Sequence, residues 1–336
     1  MARYAMLIAP STNRVYADAA SRLAAAELAV FAATVLRAKV SGAEPTRIGG
    51  VAYLAFDTDA PLDERDIAYL SNLSSAYALF EHLDGDLLRP VRLDPLAHFD
   101  DDLLTIQKYA GKTNEQFTKL LLNVALLAST YADRMLDRRL TVLDPLCGRG
   151  TTLDQALMYG YHAIGIDTDG KDFDAYAAFI RTWLKRKRIK HRAEITPVRK
   201  DRRTLARRLA VTIAGEQSLT VFHADAIEAR EFLKGGVADV IVADLPYGVA
   251  HGSRTHHGLS RSPVQLLAVA IPVWTQLIQP GGTMSISLNT HVIGREAAAE
   301  ILEHHGLRVL RGPGYDDFAH WVDQSINRDV LVARKH

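Results

Sequence analysis

The residues best suited to chemistry form the run Asp244, Leu245, Pro246 and Tyr247, which follows an apolar segment. An aromatic amino group is a poor nucleophile because its lone pair is delocalised into the ring. The Asp244 carboxylate and the Leu245 carbonyl can accept hydrogen bonds from such a group and favour the pyramidal nitrogen that attacks a methyl group. Pro246 fixes the backbone, and Tyr247 offers a face for base stacking. The motif predicts methyl transfer to a base amino group; the alternative is a plain turn.

A glycine-rich turn upstream of this motif is suited to binding a cofactor. Asp144 ends an apolar strand, and Cys147, Gly148 and Gly150 lie in the turn that follows. Glycine lets the backbone approach a ligand closely at the mouth of a helix. The Asp144 carboxylate can meet the ammonium group of S-adenosylmethionine (SAM), directly or through water. We expect these four residues to bind SAM, the alternative being an ordinary strand–helix connection.

Two further acidic residues follow predicted strands. Asp167 lies at the spacing from the turn at which a carboxylate accepts hydrogen bonds from ribose hydroxyls, and Asp225 is placed to meet the adenine amino group. The turn lacks the third glycine of the dinucleotide fingerprint, which argues against NAD. The alternative role for Asp225 is to cap a helix.

A helix start before the glycine turn adds two candidate cofactor ligands. Lys112 and Asn114 open a segment whose later apolar residues have helical spacing. In methyltransferases with this order of motifs, the corresponding segment folds over the methionine end of SAM. Simple helix capping is the alternative.

The single cysteine, Cys147, excludes disulfide frameworks, thiolate zinc sites and iron–sulfur clusters. Methylation at cytosine carbon-5 needs a thiolate next to the base, whereas Cys147 lies in the cofactor turn, so we expect it to pack. His251, His256 and His257 follow the catalytic motif without an acidic or thiol partner at ligand spacing. We therefore expect no metal.

A basic segment covers residues 181–208, although the net charge of the chain is only +1. Such a cluster is the expected footprint for nucleic-acid phosphates. The alternative is a solvated helix face and loop. The residues that we expect to contact nucleic acid are Lys185, Arg186, Lys187, Arg188, Lys190 and Arg192.

Two domains are predicted to position these residues, 1–95 and 96–336. The first has the pattern of a small α+β, ferredoxin-like unit with strands at 4–8, 51–56 and 77–80 and helices at 17–35 and 67–73. The second alternates strands with helices, as in the Rossmann-like, seven-stranded class I methyltransferase fold, an α/β fold. Its strands are predicted at 141–144, 162–166, 219–223, 239–243, 283–288, 307–310 and 329–334.

Composition sets the class of protein. A chain of 336 residues, 48% hydrophobic and 24% charged, is ordinary for a soluble globular protein. Its longest apolar stretches are too short to span a bilayer, and its N-terminus lacks the pattern of a signal peptide. We therefore expect a cytoplasmic protein that has no contact with a membrane.

These motifs together resemble the guanosine-N2 tRNA methyltransferases, which carry an N-terminal ferredoxin-like domain, often with a THUMP module. The matching pieces are 112–128, 144–150, 165–167 and 243–248. The resemblance implies SAM binding at Asp144, Gly148, Asp167 and Asp225, and base handling by residues 244, 246 and 247. Many family members have a second proline in place of Leu245, and residues 1–95 are too few for a full THUMP module as well.

Three functions remain open at this point. The first is an RNA methyltransferase that forms N2-methylguanosine, with tRNA as the RNA partner. The second is a DNA methyltransferase for adenine N6 or cytosine N4, which has a similar cofactor turn but a separate target-recognition region that is not evident here. The third is a nucleic-acid-binding protein without catalysis, against which the intact acids at 144, 167 and 244 argue.

Overall fold

The N-terminal part of the chain forms a five-stranded antiparallel sheet with two helices. The computed structural model describes residues 1–10, 14–84, 87–109, 111–137, 139–246 and 263–336. The elements of the N-terminal part are β1 (Ala2–Ile8), α1 (Arg14–Thr34), β2 (Val40–Ile48), β3 (Val51–Thr58), α2 (Glu64–Leu70), β4 (Ala76–Leu83) and β5 (Leu87–Val91).

The strand order of this sheet is β2-β3-β1-β4-β5. The first four strands and two helices thus have the β-α-β-β-α-β arrangement of the predicted ferredoxin-like unit. Strands β2 and β5 were not located from the sequence. Gly49 and Gly50, both with positive φ, close the β2–β3 hairpin. Alternate residues such as Met6 and Phe56 are buried against α1 and α2.

The rest of the chain forms a larger mixed sheet with helices on both faces. Two 3₁₀ helices, Ala132–Asp137 and Ala226–Glu231, lie among its connections. The other elements are α3 (Asp102–Thr105), α4 (Glu115–Ala128), β6 (Thr141–Asp144), α5 (Thr151–Met158), β7 (His162–Asp167), α6 (Gly170–Arg186), β8 (His191–Lys200), β9 (Arg203–Ile213), β10 (Gln217–His223), β11 (Ala238–Asp244), α7 (Pro263–Leu277), β12 (Ile278–Asn289), α8 (Arg295–His304), β13 (Leu307–Val309), β14 (His320–Asp323) and β15 (Ile326–Lys335).

The order of this sheet is β13-β15-β12-β11-β6-β7-β10-β9-β8, and β14 also pairs with β15. Neighbours among β12, β11, β6, β7 and β10 are parallel, whereas β15 is antiparallel to β12 and β13. All seven strands predicted from the sequence are present. Their order, with the last strand inserted antiparallel, confirms the class I methyltransferase fold.

The basic segment is not simply the helix face and loop that was the alternative to nucleic-acid contact. Its second half forms the hairpin β8–β9, which extends the sheet next to β10. Leu209, Val211 and Ile213 alternate into the core, but the facing strand β8 is largely exposed and carries many charges. Pro197 fits there because the outer edge of β8 needs no donor for a further strand. The charges hid the period-two pattern in the sequence.

A buried polar network joins the N-terminal part to the rest of the chain. The carboxylate of Glu27 on α1 accepts hydrogen bonds from the Ser74 backbone N–H and from the side chains of Ser74 and Asn123. Asn123, on α4, accepts in turn from the Tyr159 hydroxyl at 2.7 Å. Burial raises the pKa of Glu27. Because both parts share this network and a continuous apolar core, the boundary between 95 and 96 stays a prediction. None of the helices described is both long and apolar enough for a membrane span.

Candidate active site

Three carboxylates lie at the carboxyl ends of neighbouring parallel strands. Asp144 ends β6, Asp167 ends β7 and Asp244 ends β11. Asp144 is only 3% exposed, and its Oδ1 accepts the Leu146 backbone N–H at 2.9 Å. Burial, with smaller contributions from the charges of Asp244 and Asp167, raises the pKa of Asp144 to about 7. No cation pairs with Asp144 within the described part of the chain, so a positively charged group is the ligand that its surroundings fit.

The glycine turn has one packed side and one open side. Gly150 has φ 83°, and a Cβ added there would lie 2.3 Å from the Tyr176 ring. A Cβ on Gly148 would meet nothing within 4 Å, among the residues described. The Gly148 N–H donates to Asp167 Oδ2 at 2.7 Å. The turn therefore leaves space beside Gly148 for a ligand and is closed by packing at Gly150.

Asp167 is held at the end of β7 by two backbone donors. Its Oδ2 accepts from Gly148, and its Oδ1 accepts the Asp169 N–H at 2.7 Å. Burial raises the pKa of Asp167. A carboxylate has about four lone-pair sites, so both oxygens can accept further hydrogen bonds. This geometry fits the predicted contact with ribose hydroxyls.

Asp225 caps the second 3₁₀ helix, which was the alternative weighed from the sequence. Its Oδ1 accepts the Ile227 N–H at 3.0 Å. Within the described residues, no hydrogen bond engages its other oxygen. The contact with adenine stays a prediction.

The segment before α4 is braced rather than open. The Lys112 ammonium donates to the Leu104 and Gln107 carbonyls at 2.6 and 2.9 Å and pairs with Glu115 at 2.5 Å. Direct cofactor binding by Lys112 would require breaking one of these contacts. Asn114 caps α4 by accepting the Phe117 N–H at 3.0 Å. Both residues thus have the bracing or capping role that was the alternative to cofactor binding.

Two residues of this segment that the sequence did not single out cover the glycine turn. Gln107 donates to the Arg149 carbonyl at 3.2 Å, and the Tyr109 hydroxyl lies 3.1 Å from Thr151 Oγ1. The Arg149 guanidinium lies 4.9 Å from the centre of the Tyr109 ring. Because these contacts join residues far apart in the chain, they leave no local sequence signal. They place 107–109 over the predicted cofactor turn.

Thr113 connects the same segment to the catalytic motif. Its hydroxyl donates to Asp244 Oδ2 at 2.5 Å. The next residue after this aspartate, Leu245, is buried, and its N–H donates to the Ser287 carbonyl at 3.1 Å. Pro246 is exposed. Thr113 is therefore a site residue that sequence reasoning missed.

Part of the predicted site lies outside the described residues. This part consists of Tyr247 and the following segment with its three histidines, His251, His256 and His257. No group of metal-ligating side chains occurs in the described residues.

Cys147 packs against β7. A Cβ added to Gly165 would lie 2.8 Å from its sulfur, so the thiol fills the space that this glycine leaves. Burial raises the pKa of Cys147 well above its ordinary value, which keeps the thiol protonated. These observations support the packing role.

The basic residues predicted to contact nucleic acid are not at the site. Helix α6 starts beyond the carboxyl end of β7 and runs back, so 185–190 lie at the opposite, amino edge of the sheet. His191, next to Arg192, is level with Ile213, six residues from the level of His223, or about 20 Å. Lys187 is also engaged, with Asp100 and Asp102 at 2.7 and 2.8 Å. The structure therefore separates these six residues from the three carboxylates.

Comparisons with known proteins agree with the fold. Residues 123–260 match the model of the UPF0020 family, RMKL-like, methyltransferase domain. A comparison with the curated proteins gave no match. This match is to a methyltransferase domain, the class of domain predicted from the sequence.

Several solved structures are similar to the chain. TrmN from Thermus thermophilus is 18% identical over 86% of this chain and 57% of its own, with a TM-score of 0.38. The present chain thus spans just over half the length of TrmN. A TehB-like SAM-dependent methyltransferase from Corynebacterium glutamicum is 15% identical over 61% and 85%, with a TM-score of 0.36. Aeropyrum pernix fibrillarin, solved with SAM, is 14% identical over 77% and 94%, with a TM-score of 0.38.

Proposed function

We propose that this protein is an RNA methyltransferase that transfers the methyl group of SAM to an exocyclic amino group, guanosine N2 in tRNA. The observation that carries the proposal is the position of Asp244. Asp244 ends β11 at the edge where Asp144 and Asp167 end their strands, and the Thr113 hydroxyl donates to its carboxylate. A hydrogen-bond acceptor for the substrate amine is thereby held beside the cofactor residues.

The site acts by positioning and electrostatics. SAM supplies the electrophilic methyl group. The Asp244 carboxylate accepts a hydrogen bond from the amino group and favours the pyramidal nitrogen, and the Leu245 carbonyl is the second acceptor. The buried Leu245 side chain and its bond to β12 keep this backbone in place. Asp244 also takes up the proton that the amine loses.

On the cofactor side, each carboxylate meets a different part of SAM. Asp144 offers a buried negative charge to the ammonium group, and Asp167 accepts from the ribose hydroxyls. Gly148 provides the open backbone between them. Asp225 accepts from the adenine amino group through the oxygen that does not cap its helix.

The proposal is tested by mass spectrometry of nucleosides from deletion and wild-type cells. We expect a methylguanosine to be lost from tRNA in the deletion strain while genomic DNA is unchanged. Loss of N6-methyladenine or N4-methylcytosine from DNA would favour the alternative of a DNA methyltransferase. An unchanged set of methylated nucleosides in RNA and DNA would favour a binding protein without catalysis.

A second test separates catalysis from cofactor binding. Asp244→Ala is expected to abolish methyl transfer to tRNA and to leave S-adenosylhomocysteine affinity within a few-fold of wild type. Asp167→Ala is the matched variant, because it should lose cofactor affinity first. If Asp244→Ala lost cofactor binding to the same degree as Asp167→Ala, the role assigned to Asp244 would be wrong.

A further inference from the structure

The β8–β9 hairpin reaches past the edge of the sheet where the site lies. Arg207 on β9 is level with His223, the last residue of β10, and His223 is level with Asp167. The hairpin continues for four more residues to Arg203, a rise of about 13 Å. Its tip, which we define as residues 199–203, therefore stands beyond the carboxyl ends of the catalytic strands.

The tip carries three arginines whose side chains are available to a ligand. Arg199, Arg202 and Arg203 are exposed. No hydrogen bond or ion pair engages their guanidinium groups within the described residues. Lys200 pairs with Glu231 at 2.6 Å, and the charge of Arg203 contributes, after Lys200, to lowering the pKa of Glu231.

The basic residues nearer the base of the hairpin are engaged. Arg207 pairs with Asp174 at 2.7 Å and lies over the Phe173 ring, and Arg208 donates to Thr196. The hairpin base is thus held by internal contacts. Among the arginines of β8, β9 and the turn between them, those without an ion-pair or hydrogen-bond partner in the described residues are therefore the three of the tip.

The turn at the tip uses residues that are unfavourable for its backbone. Asp201 and Arg202 both have positive φ, 48° and 64°, as in a two-residue type I′ turn. Glycine or asparagine would adopt this conformation at lower cost, and an arginine there is uncommon. Backbone cost of this kind concentrates at functional positions. Here its result is an arginine at the far end of the hairpin.

The arm that carries this tip is firmly anchored. Strand β9 pairs with β8 from Arg203 to Ile213 and with β10 from Arg207 to Ile213. Leu209, Val211 and Ile213 bury their side chains in the core. The tip therefore extends from an anchored arm, and the Lys200–Glu231 ion pair ties it to the 3₁₀ helix after β10.

We propose that Arg199, Arg202 and Arg203 bind backbone phosphates of the RNA substrate while a base reaches Asp244. This inference rests on the proposed function and moves the RNA-binding surface from 185–192 to the tip. Exposed, unpaired arginines suit phosphates, which accept paired hydrogen bonds from the guanidinium fork.

The geometry predicts how many nucleotides separate the target base from the phosphates that the tip binds. Four strand spacings separate β11 from β9, about 19 Å, and the tip extends about 13 Å beyond the strand ends. The direct distance from the end of β11 to the tip is thus about 23 Å. A stacked strand with a rise of about 3.4 Å per nucleotide covers it in about seven nucleotides.

The inference is tested by binding of total tRNA purified from deletion cells, measured by fluorescence anisotropy against salt concentration. The tip variant combines Arg199→Gln, Arg202→Asn and Arg203→Gln. The comparison variant combines Lys185→Gln, Arg186→Gln and Lys190→Gln, with the same change in charge at the amino edge of the sheet.

We expect the tip variant to bind tRNA about a hundredfold more weakly than wild type at 0.1 M salt. The slope of log K against the logarithm of the salt concentration should be smaller in magnitude by about two to three, since each phosphate contact contributes about 0.7–0.9 to it. The comparison variant should lose much less. An equal or larger loss in the comparison variant, or wild-type binding by the tip variant, would overturn the proposal. Loss of duplex DNA binding alone would also overturn it.

A gain of affinity provides a test that misfolding cannot imitate. Asp201→Asn removes the one negative charge of the tip and suits the positive φ at that position. We expect tRNA binding to become several-fold tighter, and unchanged or weaker binding contradicts the inference. The proposed function fails separately, if wild-type protein binds this tRNA and transfers no methyl group to it.

Discussion

Replacing the buried Asp144 carboxylate with an amide is expected to stabilise the protein at neutral and alkaline pH. Burial raises the pKa of Asp144 from its ordinary 3.8 to about 7. Because the side chain is 3% exposed, solvent screens this effect little. Ionised Asp144 therefore costs the folded protein about 4 kcal/mol above pH 7. An amide at this position carries no charge, so Asp144→Asn should recover most of this free energy.

The sign of the effect follows from proton uptake. Between about pH 4 and 7 the folded protein holds a proton on Asp144 that the unfolded chain has released, so wild-type stability falls as pH rises through this window. The advantage of Asp144→Asn should therefore grow by about 3 kcal/mol between pH 5 and 8. The amide oxygen of the variant can still accept the Leu146 N–H, which limits other changes.

The assay is urea denaturation of cofactor-free wild type and Asp144→Asn at both pH values, followed by circular dichroism. Calorimetry with S-adenosylhomocysteine should show weaker binding by the variant, because the charge that we propose meets the ammonium group is gone. A stability difference that is the same at pH 5 and pH 8 would refute the reasoning. A variant that is less stable than wild type at pH 8 would refute it as well.

Three more outcomes are expected. Thr113→Val should lower kcat about tenfold and leave cofactor affinity little changed, because a hydrogen bond to the Asp244 carboxylate is lost. Thr113→Ser keeps a hydroxyl and should retain the wild-type rate. Equal losses of kcat in both variants would contradict a role for the hydroxyl. Gly150→Ala should lower the free energy of unfolding by about 2 kcal/mol or more, because of its positive φ and the clash with Tyr176; an unchanged melting temperature would exclude that clash. Cys147 should react with iodoacetamide slowly in the native protein and rapidly in urea, since its thiol is buried and protonated; rapid native alkylation would contradict this.

The central part of the fold was predictable because its signals are local. Each parallel strand is a short apolar run, and acidic residues follow three of them at 144, 167 and 244. Parallel strands bring their carboxyl ends to one edge, so predicting the strands also predicted that these acids would be near each other. The positions of Asp144, Asp167 and Asp244 were thus obtained from sequence alone.

Other features depend on contacts between distant residues. Nothing next to Thr113 in the sequence indicates that its hydroxyl meets Asp244. The sequence around Lys112 is compatible both with cofactor binding and with a structural role. Only the three acceptors of its ammonium group in the structure favour the structural role. The hairpin β8–β9 was missed because an exposed edge strand with many charges has little of the apolar alternation that indicates a strand.

The sequence by itself determined where seven strands of the larger sheet lie along the chain, the glycine turn and the acids at the ends of three strands, because hydrophobic period and turn residues act over a few positions. The tertiary structure decided which basic residues lie at the same edge of the sheet as the site. A helix that runs back along the sheet carries 185–190 to the far edge, while a hairpin brings Arg199, Arg202 and Arg203 forward. The basic residues can be counted in the sequence. The edge of the sheet at which they lie depends on the direction in which each helix or strand runs.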